Sequence, residues 1–432
     1  MNPRKIILDA LIKFFSNTAY SNLTLDGILN ETSLEQKDKA FVSHIFYGVI
    51  ERKITLDYII SSLSTTKLNK MSPYILNALR MGLYQIIYMD KIPDNAAVNE
   101  TVNLIKKSKF KNLSGFVNAI LRAYLRKPVV LPNDDSLESM EIKYSCPKEL
   151  VNEFIEYLGK DDAIKFLENS LITPPVYARV NSNVISEDKL IDLLKAQGIE
   201  AEKTNITNAI KLNKTGAISK LEEHKKGYFH IQDLASQIAI SALSPKEDDM
   251  VLDICSAPGG KTFTMAEYMN NKGKIISCDI HNHRVNLIKN GAERLNLSVI
   301  EAIQNDATKY NKNFPKFDKI LCDVPCSGYG DIRRKPEIKY KSLSDLTSLP
   351  DLQYNILNIS ASYLKSGGYI LYSTCTLRKQ ENEDIVERFL KENSDFSKVT
   401  TNVFGNESEY QRLLSSKLDC DGFFFALLKK EG

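Results

Sequence analysis

The sequence is poor in the side chains on which many metal and disulfide sites depend. Its 432 residues include five histidines and seven cysteines, and the cysteines form no C-x-x-C pair. An odd number of cysteines in a long chain argues against a disulfide framework. Paired cysteine clusters and spaced histidines, the common zinc patterns, are missing as well, so we predict that the protein binds no metal.

The sequence also lacks a long hydrophobic run. No apolar stretch approaches the roughly 18 residues that a membrane-spanning helix needs. Near the N-terminus, Asp9 and Lys13 interrupt the apolar residues, which is not the pattern of a secretory signal. We therefore expect a cytoplasmic protein without membrane contact.

Positive and negative charges are almost balanced over the whole sequence, because the formal net charge is only +3. Residues 101–130 are the exception, with seven cations and no carboxylate: Lys106, Lys107, Lys109, Lys111, Arg122, Arg126 and Lys127. Such a segment suits contacts with nucleic-acid phosphates, although a solvated helix face explains the charges equally well.

The first 128 residues have the apolar spacing of helices and no strand-like alternation. In "SPYILNALRMGLYQIIYMD", Ser72 is suited to cap a helix and Pro73 to occupy its first turn. "RKPVVLPNDD" then has the prolines and polar cluster of a linker. We predict an all-helical domain over residues 1–128.

Residues 141–226 mix helical and extended segments. We predict a helical stretch over residues 149–170, a further helix in "SEDKLIDLLKAQG" with Ser186 as its cap, and strands in "PPVYARVN" and "AIKLN". This mixture indicates a small α+β module.

Residues 227–432 alternate strand and helix patterns. The strand patterns are "MVLDIC", "GKIISCD", "VIEAIQ", "DKILCDVP" and "GYILYSTC". Short apolar runs separated by helices predict a mostly parallel sheet that is covered on both faces. Ligands of such sheets bind outside the carboxyl ends of the strands.

The first strand of this domain runs into "SAPGGK", where Gly259 and Gly260 allow a ligand to approach the backbone. Asp279 ends the next strand, twenty residues (279 − 259) after Gly259, and suits the hydroxyls of a ribose. Asp306 follows the third strand and suits an adenine amine. The glycines do not form G-x-G-x-x-G, so the residues indicate an adenosine-type cofactor and leave its identity open.

Two cysteines, Cys326 and Cys375, follow the fourth and fifth strands, where a reaction site is expected. A cysteine hydrolase would need a histidine base, and residues 284–432 contain no histidine. A thiolate that adds to an electron-poor ring such as cytosine needs only a lowered pKa. Addition at carbon 6 activates carbon 5, the carbon-5 proton must later leave, and a second thiol and an acid such as Asp323 suit these steps.

The motifs "DICSAPGGKT", "DVPCSGYG" and "STCTL", in this order, resemble those of the RNA 5-methylcytosine methyltransferases of the Sun (RsmB) family. "IPDNAAVNETVNLIKKSK" and "GFVNAILR" resemble the NusB-like domain of its bacterial members. The resemblance covers the whole chain. It implies an all-α NusB-like domain, a small α+β ferredoxin-like module and a Rossmann-like α/β methyltransferase domain.

The same resemblance implies the substrate, the cofactor and the roles of residues. Cys375 would be the nucleophile, Cys326 the thiol that assists product release, and one cytosine of 16S ribosomal RNA the target. The cofactor would be S-adenosylmethionine, bound by Cys255, Ser256, Ala257, Pro258, Gly259, Gly260, Lys261, Asp279, Asp306 and Asp323. The RNA backbone would be bound by Lys106, Lys107, Lys109, Lys111, Arg122, Arg333, Arg334 and Lys335.

We thus expect a monomeric enzyme that methylates carbon 5 of a ribosomal RNA cytosine. Two alternatives remain on the residues alone. One is an RNA-binding NusB-type module with a passive adenosine-binding domain, against which the intact Cys326, Cys375 and Asp323 argue. The other is a dehydrogenase on the same sheet, which the glycine pattern disfavours.

Overall fold

The computed structural model describes residues 2–16, 25, 27–29 and 32–432. The chain forms two compact units, one of Met1–Leu171 with Arg334–Lys341 and one of Ile172–Arg333 with Ser342–Gly432. The three predicted domain ranges stay predictions. None of the helices in the described part of the chain combines the length and the apolar character that a bilayer crossing requires.

The described residues of the first unit form helices and loops and no strand, as predicted for residues 1–128. Its helices are α1 Pro3–Ser16, α2 Gln36–Glu51, α3 Lys53–Leu63, α4 Pro73–Tyr88, α5 Asp94–Lys106, α6 Ser114–Arg126, α7 Leu137–Tyr144, α8 Lys148–Leu158 and α9 Lys160–Asn169. Ser72 caps α4 as predicted, since its side chain accepts a hydrogen bond from the Ile75 N–H. The helical stretch predicted over residues 149–170 is confirmed and consists of two helices, because Gly159 has φ 79° and ψ 157° and separates α8 from α9.

The segment Arg334–Lys341 belongs to the first unit, although its neighbours in sequence on both sides belong to the second. Lys339, which is buried, donates a hydrogen bond to the Glu51 carbonyl at 3.0 Å. Tyr340 donates to the Ile50 carbonyl at 2.9 Å. The segment therefore satisfies two of the last carbonyls of α2, which have no partner within the helix.

The second unit begins with a small antiparallel sheet of strand order β2-β3-β1-β4. Its elements are β1 Val176–Val180, α10 Glu187–Ala196, β2 Glu200–Lys203, β3 Ala209–Asn213, α11 Glu222–Lys225 and β4 Phe229–Ile231. The predicted α+β module is confirmed, with β1 and β3 in the two predicted segments. The short β4 pairs with β1 and extends the small sheet beyond the predicted end at residue 226.

The main sheet has the order β10-β14-β9-β8-β5-β6-β7, with β13 paired to β14. The remaining elements are α12 Leu234–Leu243, β5 Met250–Asp253, α13 Gly260–Tyr268, β6 Lys274–Asp279, α14 Asn282–Arg294, β7 Ile300–Gln304, β8 Phe317–Asp323, α15 Leu349–Ala361, β9 Leu364–Thr374, α16 Glu383–Glu392, β10 Phe396–Val399, β11 Thr401–Val403, β12 Asn406–Ser408, β13 Gln411–Leu413, α17 Ser415–Leu418 and β14 Phe423–Lys430. The strands β5 to β9 are parallel, as predicted, and β14 pairs antiparallel with β9.

Both faces of the main sheet are buried, which explains the continuous apolar runs of its strands. Neighbouring residues enter two different cores: Val251 one and Leu252 the other, and likewise Leu321 and Cys322. The order of the strands reverses at β5, which lies between β6 and β8. Because ligands bind at such a reversal, the loops that follow β5 and β8 are the expected place for a site.

Candidate active site

The two predicted reaction thiols lie side by side. β8 and β9 are parallel neighbours in which Asp323 pairs with Ser373, so the loops that follow them leave the same edge of the sheet. The Sγ atoms of Cys326 and Cys375 are 3.3 Å apart. The other strand cysteines, Cys278 and Cys322, are fully buried in the core.

Cys375 is held in its neutral form in this arrangement. The hydrogen bond with Cys326 and then burial raise the pKa of the Cys375 thiol well above its usual value, and the charges of Asp331 and Asp323 act in the same direction. The lowered pKa expected of a thiol that adds to a ring is therefore not found, and Cys375 becomes a nucleophile only when its proton is removed.

Asp323, the predicted acid, ends β8 and pairs with Lys261 from the first turn of α13. The Lys261 Nζ lies 2.9 Å from the Asp323 Oδ2, and Ser373 donates to the other carboxylate oxygen at 2.9 Å. Burial lowers the pKa of Lys261, but the charge of Asp323 and the hydrogen bond to it outweigh burial and raise that pKa. The Lys261 ammonium also lies 5.0 Å from the centre of the Phe423 ring.

The loop between β5 and α13 requires glycine at position 259. Gly259 has φ 108°, and a Cβ atom there would lie 2.5 Å from the ring of Phe263. Ser256 fastens the loop to β6 by donating to the Cys278 carbonyl at 2.8 Å. Of the other predicted cofactor residues, Cys255, Ala257 and Gly260 are half-buried and Pro258 is exposed.

The two predicted acids follow the next two strands. Asp279 is 4% exposed, accepts from the His281 N–H at 2.9 Å and pairs with Arg284 at 3.0 Å. Asp306 accepts from Thr308 and pairs with Lys309, and these bonds lower its pKa to about 2. A carboxylate has more acceptor positions than these partners use, so both acids can still accept from hydroxyl or amine donors.

The residues predicted to bind RNA differ in their surroundings. Lys106, Lys107, Lys109 and Lys111 are exposed at the end of α5 and in the following turn, whereas Arg122 donates to Asn95 at 2.9 Å. Arg334 and Lys335 belong to the segment that joins the first unit.

Arg333 is unlike the other predicted RNA-binding residues, because it is 8% exposed. Its guanidinium donates to the carbonyls of Ile172 and Thr173 and pairs with Asp419 at 2.9 Å. A phosphate contact would require these bonds to break, so the structure speaks against the predicted contact.

Sequence reasoning missed two site residues, Glu381 and Asn382, which are fully buried. They bond to the loops that carry the thiols. They lie in "RKQENED", which has the composition of a solvated charged segment and gives no signal for burial.

Family models match all three parts of the chain. The description "16S rRNA methyltransferase RsmB/F" applies to residues 240–429, "NusB family" to residues 1–126, and "Methyltr_RsmF/B-like, ferredoxin-like domain" to residues 146–219.

Individual proteins match over nearly the full length. "Probable ribosomal RNA small subunit methyltransferase B" of Bacillus subtilis is 38% identical and covers 99% of each chain. "Ribosomal RNA small subunit methyltransferase B" of Proteus mirabilis is 30% identical and covers 95% of each chain. The crystal structure of PH0851 has the same fold, with a TM-score of 0.82, 24% identity and coverage of 100% of this chain and 99% of that chain.

The main sheet, its glycine loop and these matches define an S-adenosylmethionine-dependent methyltransferase. The chain belongs to the RsmB family of ribosomal RNA small subunit methyltransferases. The predicted family, fold class and cofactor are thereby confirmed. Membership argues against both the dehydrogenase and the passive adenosine-binding alternative.

Proposed function

We propose that the protein transfers a methyl group to carbon 5 of a cytosine in 16S ribosomal RNA through a covalent bond between Cys375 and the base. The observation that carries this proposal is the 3.3 Å distance between the Cys326 and Cys375 sulfur atoms, beside Asp323. The names of the relatives support ribosomal RNA of the small subunit as the substrate. Action as a cytoplasmic monomer stays a prediction.

The residues after β5, β6 and β7 fit S-adenosylmethionine. Gly259, with φ 108°, leads into α13, whose first N–H groups have no partner within the helix, and Asp279 and Asp306 offer acceptor oxygens for a ribose and an adenine amine. Cys255 to Lys261 would complete the contacts, with Asp323 at the side of the base. When bound, the cofactor supplies an electrophilic methyl group.

The side chains then have separate tasks. The Cys375 proton passes to the Asp323 carboxylate, the Cys375 sulfur bonds to carbon 6, and Asp323 passes that proton on to ring nitrogen 3. After carbon 5 has accepted the methyl group, Cys326, which has released its own proton to solvent, takes the carbon-5 proton. Nitrogen 3 returns its proton to Asp323, the carbon–sulfur bond breaks, and the electron pair returns to Cys375. The cytosine must be unpaired or flipped out of its stack, because a stacked base cannot be reached from both sides.

The test is methyl transfer from methyl-labelled S-adenosylmethionine to ribosomal RNA by wild type, Cys375→Ala and Cys326→Ala. We expect label at carbon 5 with the wild type, none with Cys375→Ala, and a trapped protein–RNA adduct with Cys326→Ala. Cys322→Ala is the matched control, since it removes a core thiol of β8, the strand that leads into the Cys326 loop. No label on RNA with the wild type would overturn the proposal, and activity of Cys375→Ala would overturn the choice of nucleophile.

A further inference from the structure

Two consecutive residues connect the loops that carry the reaction thiols. Glu381 and Asn382 follow Cys375 in sequence, just ahead of α16, and neither side chain is exposed. Each makes hydrogen bonds to residues directly beside one of the two cysteines. Among these bonds to the two loops, the one made by Glu381 goes to the Cys326 loop and those made by Asn382 go to the Cys375 loop.

Glu381 holds the Cys326 loop on both sides of the cysteine. Its Oε2 accepts from the Ser327 N–H at 2.9 Å, which fixes the residue after Cys326. The same oxygen accepts from the Gln353 Nε2 at 2.9 Å, and that amide also donates to the Pro325 carbonyl at 2.9 Å. Glu381 is thus bonded directly to the residue after Cys326 and, through Gln353, to the residue before it.

Asn382 holds the Cys375 loop in the same way. Its Nδ2 donates to the Thr376 carbonyl at 3.0 Å, and its Oδ1 accepts from the Thr374 hydroxyl at 2.6 Å. The residues before and after Cys375 are therefore bonded to one amide. A further bond of 2.6 Å between the Ser327 and Thr376 hydroxyls joins the two loops directly.

A buried carboxylate needs compensation, because leaving water costs a charge several kcal/mol. At Glu381 this comes from Arg378, whose Nη1 lies 3.1 Å from the Oε1, and from the two N–H donors to the Oε2. Tyr372 donates to the Glu381 carbonyl at 2.6 Å. Four side chains and backbone groups thus keep one charged residue in place under the Cys326 loop.

We infer that Glu381 and Asn382 are positioning residues with different duties, Glu381 for the release thiol Cys326 and Asn382 for the nucleophile Cys375. The inference rests on the proposed function. Displacing a reacting group by about 1 Å can slow a step by roughly a hundredfold. Loss of the Glu381 side chain therefore slows product release and leaves adduct formation nearly unchanged. Loss of the Asn382 side chain slows adduct formation and leaves product release nearly unchanged.

The experiment separates adduct formation from product release in a single turnover. RNA is mixed with each full-length variant and S-adenosylmethionine, and the covalent protein–RNA species is followed over time on denaturing gels. We expect Glu381→Ala to form the adduct at nearly the wild-type rate and to resolve it roughly tenfold to a hundredfold more slowly. We expect Asn382→Ala to form the adduct more slowly by a similar factor and not to accumulate it.

Matched variants exclude a merely structural effect. Glu383→Ala removes a buried glutamate of the same segment that pairs with Arg412. It should change neither the rate of adduct formation nor the rate of adduct resolution. Glu381→Gln keeps an acceptor for the Ser327 N–H and should partly restore release. Gln353→Ala loosens the Cys326 loop from its other side, and it tests the same step should Glu381→Ala fail to fold. Thermal unfolding and S-adenosylmethionine binding are measured for each variant.

The outcomes distinguish this inference from the proposed function. No label on RNA and no adduct with wild type or Cys326→Ala would overturn the proposed function and the inference with it. The inference alone would be overturned if Cys326→Ala traps an adduct but Glu381→Ala, Gln353→Ala and Asn382→Ala all show the same ratio of the rate of adduct formation to the rate of adduct resolution. Delayed release confined to the Glu381 and Gln353 variants supports it.

Discussion

Two regions of the molecule differ in how firmly they hold their functional groups. One is the thiol pocket of the second unit, formed by Cys326, Cys375 and the residues that hold their loops, and the other is the basic segment of the first unit, residues 101–130. Around Cys326 and Cys375, the residues that hold the loops are fully buried and bonded to the backbone beside each thiol. From Lys106 to Lys111 the ammonium groups are exposed. Bond making requires atoms at fixed distances, whereas phosphate attraction acts over several ångströms and tolerates mobile charges.

Because the two regions differ in this way, we expect a graded response to substitution. Changes at the thiol pocket should be large and specific to one step, and changes in the basic segment should be small and sensitive to salt.

The largest contrast is expected between two glycines. A Cβ atom at Gly330 would lie 1.8 Å from the Gly422 carbonyl oxygen and 2.8 Å from that of Cys375, whereas one at Gly115 in α6 would meet nothing within 4 Å. Gly330→Ala should lower the free energy of unfolding by about 3 kcal/mol and disrupt methyl transfer. Gly115→Ala should leave it unchanged or raise it by up to about 1 kcal/mol. Chemical denaturation measures both, and equal losses would contradict the comparison.

The next contrast lies between the two acids of the cofactor site. The Asp279 side chain is 4% exposed and that of Asp306 is 26% exposed. A hydrogen bond to a buried charge contributes about 1.5–3 kcal/mol, so Asp279→Asn should weaken S-adenosylmethionine binding roughly tenfold to a hundredfold. Asp306→Asn should weaken it only a few-fold, since water competes there. Calorimetric titration compares the two, and a larger loss at Asp306 would refute the ranking by burial.

The pH dependence of Cys375 offers a third contrast. Because the bond with Cys326 and burial raise the pKa of Cys375, its thiolate fraction at neutral pH is small and increases about tenfold per pH unit below that pKa. Alkylation by iodoacetamide without RNA should therefore accelerate up to strongly alkaline pH. Cys326→Ala removes the first cause, lowers the pKa of Cys375 and should move the profile toward lower pH. Peptide mapping after alkylation follows the site, and an unchanged profile would count against the hydrogen bond as the cause.

The smallest effect is expected in the basic segment. Lys109→Ala should weaken RNA binding only a few-fold at low salt and reduce the salt dependence of log Kd by about 1. Lys37→Ala, which removes an exposed lysine from α2, is the control for net charge. Fluorescence anisotropy at several salt concentrations measures both. The same loss for both variants would show that net charge matters rather than the segment.

The sequence predicted best what depends on local pattern. Each of the five parallel strands lies within or overlaps its predicted apolar segment, because burial on both faces imposes such runs. The proximity of Cys326 and Cys375 followed from their places after neighbouring strands. Their roles remain predictions that come from the family resemblance.

What the sequence could not predict depends on contacts between distant residues. The burial of Glu381 is stabilised by Arg378 nearby but also by Ser327 and Gln353, 54 and 28 residues away. The same holds for Arg333, whose partner Asp419 is 86 residues away. A charged residue looks identical in sequence whether water or such partners surround it.

The segment Arg334–Lys341 limits how this protein can be dissected. Since the chain leaves the first unit at Leu171, returns at Arg334 and leaves again at Lys341, no single cut yields two complete units. A fragment that ends at Leu171 would lose Lys339 and Tyr340 and leave the Ile50 and Glu51 carbonyls without these donors. A separate fragment of the first unit would lack Arg334–Lys341, and a separate fragment of the second unit would carry these eight residues without their partners. Cleavage by proteases would likewise not release the helical unit intact.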